Sequence, residues 1–457
     1  MVPRLPSLLC LLLSAAPALA QGAPEPEAGK PPERYRRVPD APLPQYQVAG
    51  EGETRAQPQG TETFGPEVYA KRRAQVRAAL KTGVAVVHAA PPGDDESRQD
   101  SDFYWLTGLD ERGAALVLSP QDPDLPEVLY LAPRDVEGER WTGERAALSQ
   151  DLKVRTGFRE VRRTTWLPGA LTRLAHRFRT LRFLGPLVAP PAPESTTLEL
   201  VQKVAGRVPG ASVSDDSDLL PRLREVKEPR EVEKIRKATE VTAAGFQAMF
   251  KAARAGVPEY VVKDAFHDAV RNLGARHLSY GSITGSGPDG TVLHYPRDDR
   301  KLQAGELMVA DCAAEWERYA SDVTRTFPVG GRFGDEQRAI YELVLRAQEA
   351  AIARLKPGVR WREVEDTARQ VIAEAGYGDY FIHGVGHFVG LDVHDPGLYD
   401  QPLPAGAVVT VEPGIYLPGK GIGVRIEDVV LVTPTGHEVL SRSIPKQVAE
   451  LEALTRP

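Results

Sequence analysis

Two stretches, Ala304-Gly305-Glu306-Leu307-Met308-Val309-Ala310-Asp311 and Ala405-Gly406-Ala407-Val408-Val409-Thr410-Val411-Glu412, decide the fold. In each, an apolar run of strand character follows a glycine and ends on a carboxylate six residues after it. The correspondence continues upstream in register. Ala255-Gly256-Val257, a helical stretch and Leu273-Gly274-Ala275 are matched by Pro357-Gly358-Val359, a second helical stretch and Ala375-Gly376-Tyr377, with a glycine-to-glycine separation of 18 in both copies. Each copy also has a second acidic strand: Asp322 in Ser321-Asp322-Val323-Thr324-Arg325-Thr326-Phe327, and Glu427 in Val424-Arg425-Ile426-Glu427-Asp428-Val429-Val430. The sequence therefore predicts a duplicated helix-helix-strands unit with a period of about 100 residues, too long for a solenoid. Its halves close face to face and donate two carboxylates each.

A buried carboxylate is costly to ionise alone, and four together require opposite charge among them, which two divalent cations supply. Asp311, Asp322, Glu412 and Glu427 are accordingly read as metal ligands with one imidazole beside them. Of nine histidines, His383, His387 and His394 fall within residues 381–395, where glycines at 384, 386 and 390 let backbone and ligand come close. His294 lies in Val292-Leu293-His294-Tyr295-Pro296. The spacing of His383 and His387 fits one helix face, but the glycines argue against a helix and the zincin glutamate is absent, so His387 is read as the imidazole ligand. Oxygen-rich sites with one imidazole suit Mn, Co or Zn, with Mn first on ligand hardness, and paired ions of this kind promote hydrolysis.

With 457 residues, 42% of them hydrophobic, the chain can bury two cores, and the natural seam falls near residue 220. Before it, Gly83-Val84-Ala85-Val86-Val87-His88 and Gly113-Ala114-Ala115-Leu116-Val117-Leu118 read as buried strands of an α/β domain spanning 63–220. After it, Lys227-Glu228-Pro229-Arg230-Glu231 opens a long helix with Val232, Ile235 and Ala238 inward, the start of a domain spanning 221–452. A net charge of −6 and the lack of a basic patch interleaved with aromatics exclude a nucleic-acid partner.

Residues 1–20 read as a secretory signal peptide, with Arg4 before the apolar run Leu8 to Leu13 and Ala18-Leu19-Ala20 as cleavage site. The run is too short to span a membrane. Cys10 lies inside it after Ser7-Leu8-Leu9, a poor lipoprotein signal. Cleavage leaves Cys312 as the remaining thiol, so no internal disulfide is expected in a protein bound for the periplasm or the extracellular space. Cys312 itself alternates away from Asp311 and reads as a small buried hydrophobe. Residues 21–62, rich in Pro, Gly, Gln and Glu, read as a flexible leader.

Taken in order, His294-Tyr295, Asp311, the run from Tyr319 to Phe327, the segment from His383 to His394, Val411-Glu412-Pro413-Gly414 and Gly423-Val424-Arg425-Ile426-Glu427-Asp428 resemble the pita-bread metallopeptidases. Upstream, Ser97-Arg98-Gln99-Asp100-Ser101-Asp102-Phe103-Tyr104-Trp105-Leu106-Thr107-Gly108 is similar to the amino-terminal signature of the Xaa-Pro aminopeptidases and Xaa-Pro dipeptidases, a domain that methionine aminopeptidases lack. Creatinases share the fold without the metal ligands, and all five ligands are present here. The resemblance covers roughly residues 64 to 452 and implies a two-domain α+β and α/β protein: a creatinase-like amino-terminal domain followed by a duplicated pita-bread catalytic domain.

By the same resemblance, Asp322 and Glu427 bridge two metals, Asp311 completes one shell, and His387 with Glu412 completes the other. Glu412 shuttles the proton to the leaving nitrogen, and His294 and His394 hydrogen-bond the carbonyl oxygen or tetrahedral intermediate. His383 holds the proline side of the substrate. Arg425, two residues before Glu427, is grouped with His383 on the substrate side and is placed to orient carboxylates. The resemblance implies peptide substrates with proline second, and a homo-oligomer in which Tyr104 and Trp105 are candidates to edge a neighbouring subunit's site, with buried packing of the pair as the alternative reading. One departure stands out: the family's first aspartate is usually followed two places later by glycine, and this chain has Ala313, which is expected to shift Asp311 and weaken one metal. Aminopeptidase and dipeptidase share every motif, and a non-catalytic relative would have lost a ligand.

Overall fold

The computed structural model describes residues 63–92, 98–135 and 137–456. The expected signal peptide, leader and Ser97 lie outside the described residues.

The amino-terminal domain is built on six strands: β1 (Val84–His88), β2 (Ala115–Leu118), β3 (Glu127–Leu131), β4 (Val161–Arg163), β5 (Thr180–Phe183) and β6 (Ser212–Asp215). They form one mixed sheet in the order β4-β3-β2-β1-β5-β6. Because strand side chains alternate between faces, Val84, Val86, Ala115 and Val117 pack under the helices Leu167–Phe178 and Thr196–Ala205. Ala85, Val87, Leu116 and Leu118 face the other way, into a core continuous with that of the second domain. The signature helix Ser101–Thr107 is capped by Asp100, whose side chain accepts from Phe103 N at 2.8 Å. Tyr104 and Trp105 are buried, at 3% and 4% exposure, and Arg72 lies over the Trp105 ring at 4.9 Å. Of the two readings, an edge to a neighbouring subunit's site or buried packing, the structure has the second: aromatic area on this short helix is consumed by packing within the chain.

In the second domain, the strands are β7 (Ile283–Ser286), β8 (Leu307–Asp311), β9 (Glu315–Trp316), β10 (Tyr319–Ala320), β11 (Thr324–Pro328), β12 (Val408–Val411), β13 (Gly414–Leu417), β14 (Ile422–Arg425), β15 (Asp428–Thr433) and β16 (Gly436–Val439). They assemble as two three-stranded sheets, β11-β8-β7 and β12-β15-β16, with the ribbons β9-β10 and β13-β14. Helices Pro229–Ala252 and Glu259–Asn272 accompany the first copy, and Asp335–Arg354 and Trp361–Glu374 the second. Pro229 stands at the start of the first of these, where a missing N–H costs nothing, and Val232, Ile235 and Ala238 are buried along it.

The duplication is written in the backbone. Gly256 and Gly358 have φ of 86° and 88°, a left-handed turn that a side chain resists, and each is followed by the same two bonds. Gly256 N donates to Leu302 O at 2.8 Å and Leu302 N to Val257 O at 2.9 Å; Gly358 N donates to Leu403 O at 2.9 Å and Leu403 N to Val359 O at 2.8 Å. At the strand entrances Gly305 N donates to Val329 O and Gly406 N to Val432 O. Asp311 pairs with Thr324 across β8 and β11, as Val411 pairs with Asp428 across β12 and β15.

The halves are pinned where β11 meets the turn between β14 and β15. Glu427 N donates to Thr324 O at 3.1 Å, and Thr326 Oγ1 to Arg425 O at 2.9 Å. Arg325, fully buried, donates to Asp428 Oδ1 at 2.7 Å and to the carbonyls of Thr324, Glu427, Ile444 and Pro445. Asp428 also accepts from Gln348, Ser441 and Lys446. Removing one partner of such a pair leaves a buried charge uncompensated, so Asp428→Ala is expected to lower stability by about 3–5 kcal/mol. Urea unfolding checks this; a loss under about 1 kcal/mol, the range of an exposed pair, would show that Arg325 finds water instead.

Candidate metal centre

The four candidate carboxylate ligands sit at or beside strand ends. Asp311 ends β8 after four buried residues, Glu412 follows β12, Asp322 precedes β11 and Glu427 sits between β14 and β15. Asp322, His387 and Glu427 come together with ligand atoms within 4.8 Å of one another. His387 Nε2 is 3.3 Å from Asp322 Oδ2 and 3.6 Å from Glu412 Oε1. Asp311 joins the group through Arg425, whose Nη2 donates to Asp311 Oδ2 at 2.7 Å. His387 is reached through irregular backbone rather than a helix, as the glycines require. Gly386 has φ of 153° and its α-carbon lies so close to Thr410 that a β-carbon would stand 2.3 Å from Thr410 O. Thr410 Oγ1 in turn accepts from His387 N at 2.9 Å.

Orientation comes from neighbours the sequence reading did not name. Thr324 Oγ1 donates to Glu427 Oε2 at 2.7 Å, Thr410 Oγ1 lies 3.4 Å from Glu412 Oε1, and the Tyr280 hydroxyl donates to Asp311 Oδ1. The two threonines stand two residues from Asp322 and Glu412, on the same strand face, and that period of two was the available signal. Tyr280 and Tyr416 had none. Arg425 is 4% exposed and directs Nε to Thr324 Oγ1, Nη1 to the Tyr416 hydroxyl and Nη2 to Asp311, so its contacts here are those of an orienting group. The Tyr416 hydroxyl lies 2.9 Å from His383 Nε2, and His383 Nδ1 donates to Gly384 O at 2.8 Å. His394 meets His387 ring to ring at 4.0 Å and 82°. His294 is exposed, on the segment after β7.

Ala313 is buried and does not adopt left-handed backbone, so it fills no place that only a glycine conformation allows. Cys312 is fully buried, and burial pushes its thiol up.

The residues fit a divalent pair. His387 Nδ1 faces Phe388 O at 3.1 Å, which fixes the tautomer with Nε2 directed at the carboxylates. Burial first, then Asp322, Glu412 and Asp311, hold Glu427 well above the carboxylate range. Glu412 is pushed up to about 7 by burial and by Asp322 and Asp311 against the relief from His387 and Arg425. His387 itself, though burial lowers it, is raised to about 9 by its hydrogen bond to Asp322 and the charges of Asp322 and Glu412. Among the side chains bonded directly to the four carboxylates, Arg425 is the permanent cation, too little for four negative charges. Asp311, Asp322, His387, Glu412 and Glu427 thus form a donor set of carboxylates and one imidazole that two hard divalent ions would satisfy.

These shifts set a pH dependence. Unfolded, Glu412 releases its proton near the ordinary value of about 4.3 and His387 near about 6.5. Folded without a cation, they keep protons to about 7 and about 9. The cation-free chain therefore loses stability as pH rises through that window, while a bound cation displaces both protons. The increase in unfolding temperature on adding Mn²⁺ to chelator-stripped protein should grow between about pH 5 and about pH 8. An increase independent of pH would place the ion elsewhere.

Two family models match the chain: aminopeptidase P, N-terminal domain, over residues 69–181, and metallopeptidase family M24 over residues 233–434. The chain is similar to Xaa-Pro aminopeptidase of Haemophilus influenzae, 35% identical over 78% of this chain and 88% of that protein. It is similar to Xaa-Pro aminopeptidase of Escherichia coli, 32% identical over 86% of this chain and 98% of that protein. Similarity to Xaa-Pro dipeptidase of Pyrococcus furiosus, at 40% identity, covers 50% of this chain and 66% of that protein. Among solved structures, E. coli aminopeptidase P with the inhibitor Pro-Leu superposes with a TM-score of 0.77 at 30% identity, over 86% of this chain and 98% of that one. Pseudomonas aeruginosa aminopeptidase PepP gives 0.77 at 34% identity with the same coverage. Both domains and their order agree, and the chain belongs to the M24 metallopeptidases, in the Xaa-Pro aminopeptidase group with its two-domain pita-bread architecture.

Proposed function

We propose that this protein removes the amino-terminal residue from peptides with proline in the second position, using two divalent ions, Mn first by ligand hardness, with Co or Zn as alternatives. The observation that carries this is the convergence of two carboxylates from each half of the duplication on one imidazole. When bound, the ions supply positive charge that polarises a peptide carbonyl and makes water a stronger acid. Asp311, Asp322, His387, Glu412 and Glu427 would hold the two ions. A Glu412 carboxylate oxygen would accept a proton from water and pass it to the leaving nitrogen. Burial lowers His394, so its ring is neutral and donates an N–H to the developing oxyanion, with His294 beside it. An imide has no N–H to offer and a fixed ring, so it needs a dedicated surface; His383, half-buried and held by Tyr416, is placed to line it.

The likeness to aminopeptidases runs nearly the full length of those relatives, whereas that to the dipeptidase is confined to half of this chain, which favours the longer substrates. An Xaa-Pro dipeptidase is the second reading. We also propose export to the periplasm or extracellular space, on the strength of the Leu8–Leu13 run and Ala18-Leu19-Ala20, and a homo-oligomer. Amino-terminal sequencing of the mature protein checks the first: a chain that still starts at Met1 sinks it.

Chelator-stripped protein restored with Mn²⁺ should release the first residue from Xaa-Pro-Yaa-Zaa. Cleavage of Xaa-Pro alone selects the dipeptidase, and activity on neither rejects both. His394→Ala should lower kcat by about 10²–10³ with little change in KM, as for loss of one oxyanion donor.

A further inference from the structure

Away from the ion ligands, one guanidinium gathers carboxylates from both domains. Arg224 ends the helix Leu219–Arg224 and is 5% exposed. Its Nη1 donates to Asp102 Oδ1 of the amino-terminal domain at 2.6 Å. Its Nη2 donates to Asp392 Oδ2 at 2.8 Å and Asp395 Oδ1 at 2.6 Å, both in the catalytic domain. Lys227 Nζ lies 3.0 Å from Asp395 Oδ2. The amino-terminal domain adds two more holds on the same loop: Ser101 Oγ donates to Asp392 Oδ1 at 2.7 Å, and Arg98 donates to Leu391 O.

What lies between Asp392 and Asp395 is His394. Asp395 Oδ1 also accepts from Asp392 N at 3.0 Å, closing the turn around it, and Asp395 N donates to Phe388 O at 2.9 Å. His387 has anchors of its own in Thr410 and Phe388 O. The His394 ring, exposed, makes no hydrogen bond with the described residues and touches the His387 ring alone among aromatic rings. Its place is therefore set by its main chain, and the main chain on both sides of it is tied to Arg224. Arg224, Lys227 and Arg98, whose Nε lies 4.0 Å from Asp392 Oδ1, are the cations facing Asp102, Asp392 and Asp395, and Arg224 alone of the three spans all of them; without its fork, those carboxylates repel one another across the domain boundary.

We propose that Arg224, anchored by Asp102, is the positioning residue for His394, so that the amino-terminal domain completes the catalytic site from outside the metal shell. This rests on the reading of His394 as an oxyanion donor. Arg224→Gln would strip Asp102 of its cation, weaken the pairing of Asp392 and Asp395 and is prone to misfold, so Asp102→Asn carries the test: it keeps the shape, removes one charge and leaves the Asp392 and Asp395 bonds in place. In Mn²⁺-loaded full-length protein we expect kcat on Xaa-Pro-Yaa-Zaa to fall about tenfold with KM within about twofold, as for a misplaced donor. The thermal midpoint and the Mn²⁺ bound per chain should stay unchanged. In a His394→Ala background Asp102→Asn should cost nothing further, because two residues acting through one step are not additive. Arg224→Lys, which cannot fork across three carboxylates, should reproduce the kcat loss. Equal losses in both backgrounds, an unchanged kcat, or a fall in bound Mn²⁺ would overturn the assignment. A His394→Ala enzyme with full kcat would overturn it together with the oxyanion role, whereas additive losses overturn the positioning role alone.

Discussion

Four carboxylates held a few ångströms apart in a buried place repel one another, and most of the catalytic domain is organised around holding them there. The repulsion shows in the groups themselves: Glu427 and Glu412 are raised by burial and by their neighbours' charges, and His387 is raised by the carboxylates it faces. A single permanent cation, Arg425, reaches in to Asp311. The mechanical answer lies behind the site, where Arg325 sews β11 to the opening of β15 through Asp428 and four carbonyl oxygens. That brace is buried and pairs its carboxylate with Arg325 and Lys446, so it adds no negative charge beside the site while fixing the distance between the halves.

The duplication explains how one chain meets this demand, and where it breaks symmetry. The first copy places aspartates at these positions and the second glutamates, so side chains from the second half are longer by one methylene. The connecting segment between second helix and first acidic strand is where the copies diverge most. In the first copy it carries His294, and in the second it carries His383, His387 and His394. The conserved geometry of the helices and strands thus supplies charge, and the divergent connections supply the imidazoles, which need irregular, glycine-bearing backbone to come close.

Much of this was legible because it is periodic. Gly256 and Gly358 mark the same left-handed turn, so the echo in sequence is an echo in φ. Asp311 and Glu412 announce themselves by ending apolar runs. Contacts without a period were invisible: Tyr280 meets Asp311 from 31 residues away, and Arg224 meets Asp395 across 171. Trp105 left two readings open for a related reason. An aromatic pair in a short helix looks the same in sequence whether it faces solvent, a neighbouring subunit or, as here, the guanidinium of Arg72 and the core.

The amino-terminal domain also acquires a physical rationale beyond its own core. Its signature segment is a helix cap, a buried aromatic pair and a set of polar groups, and these point in two directions. Asp100 closes the helix, while Ser101 and Asp102 reach out to the histidine loop and its guanidinium clamp. A seven-residue helix with few turns to stabilise it is a poor lever unless something fixes it, and the burial of Phe103, Tyr104, Trp105 and Leu106 does so. The apolar side of the segment therefore makes the helix rigid, and its polar side transmits that rigidity to a loop whose glycines would otherwise leave it free.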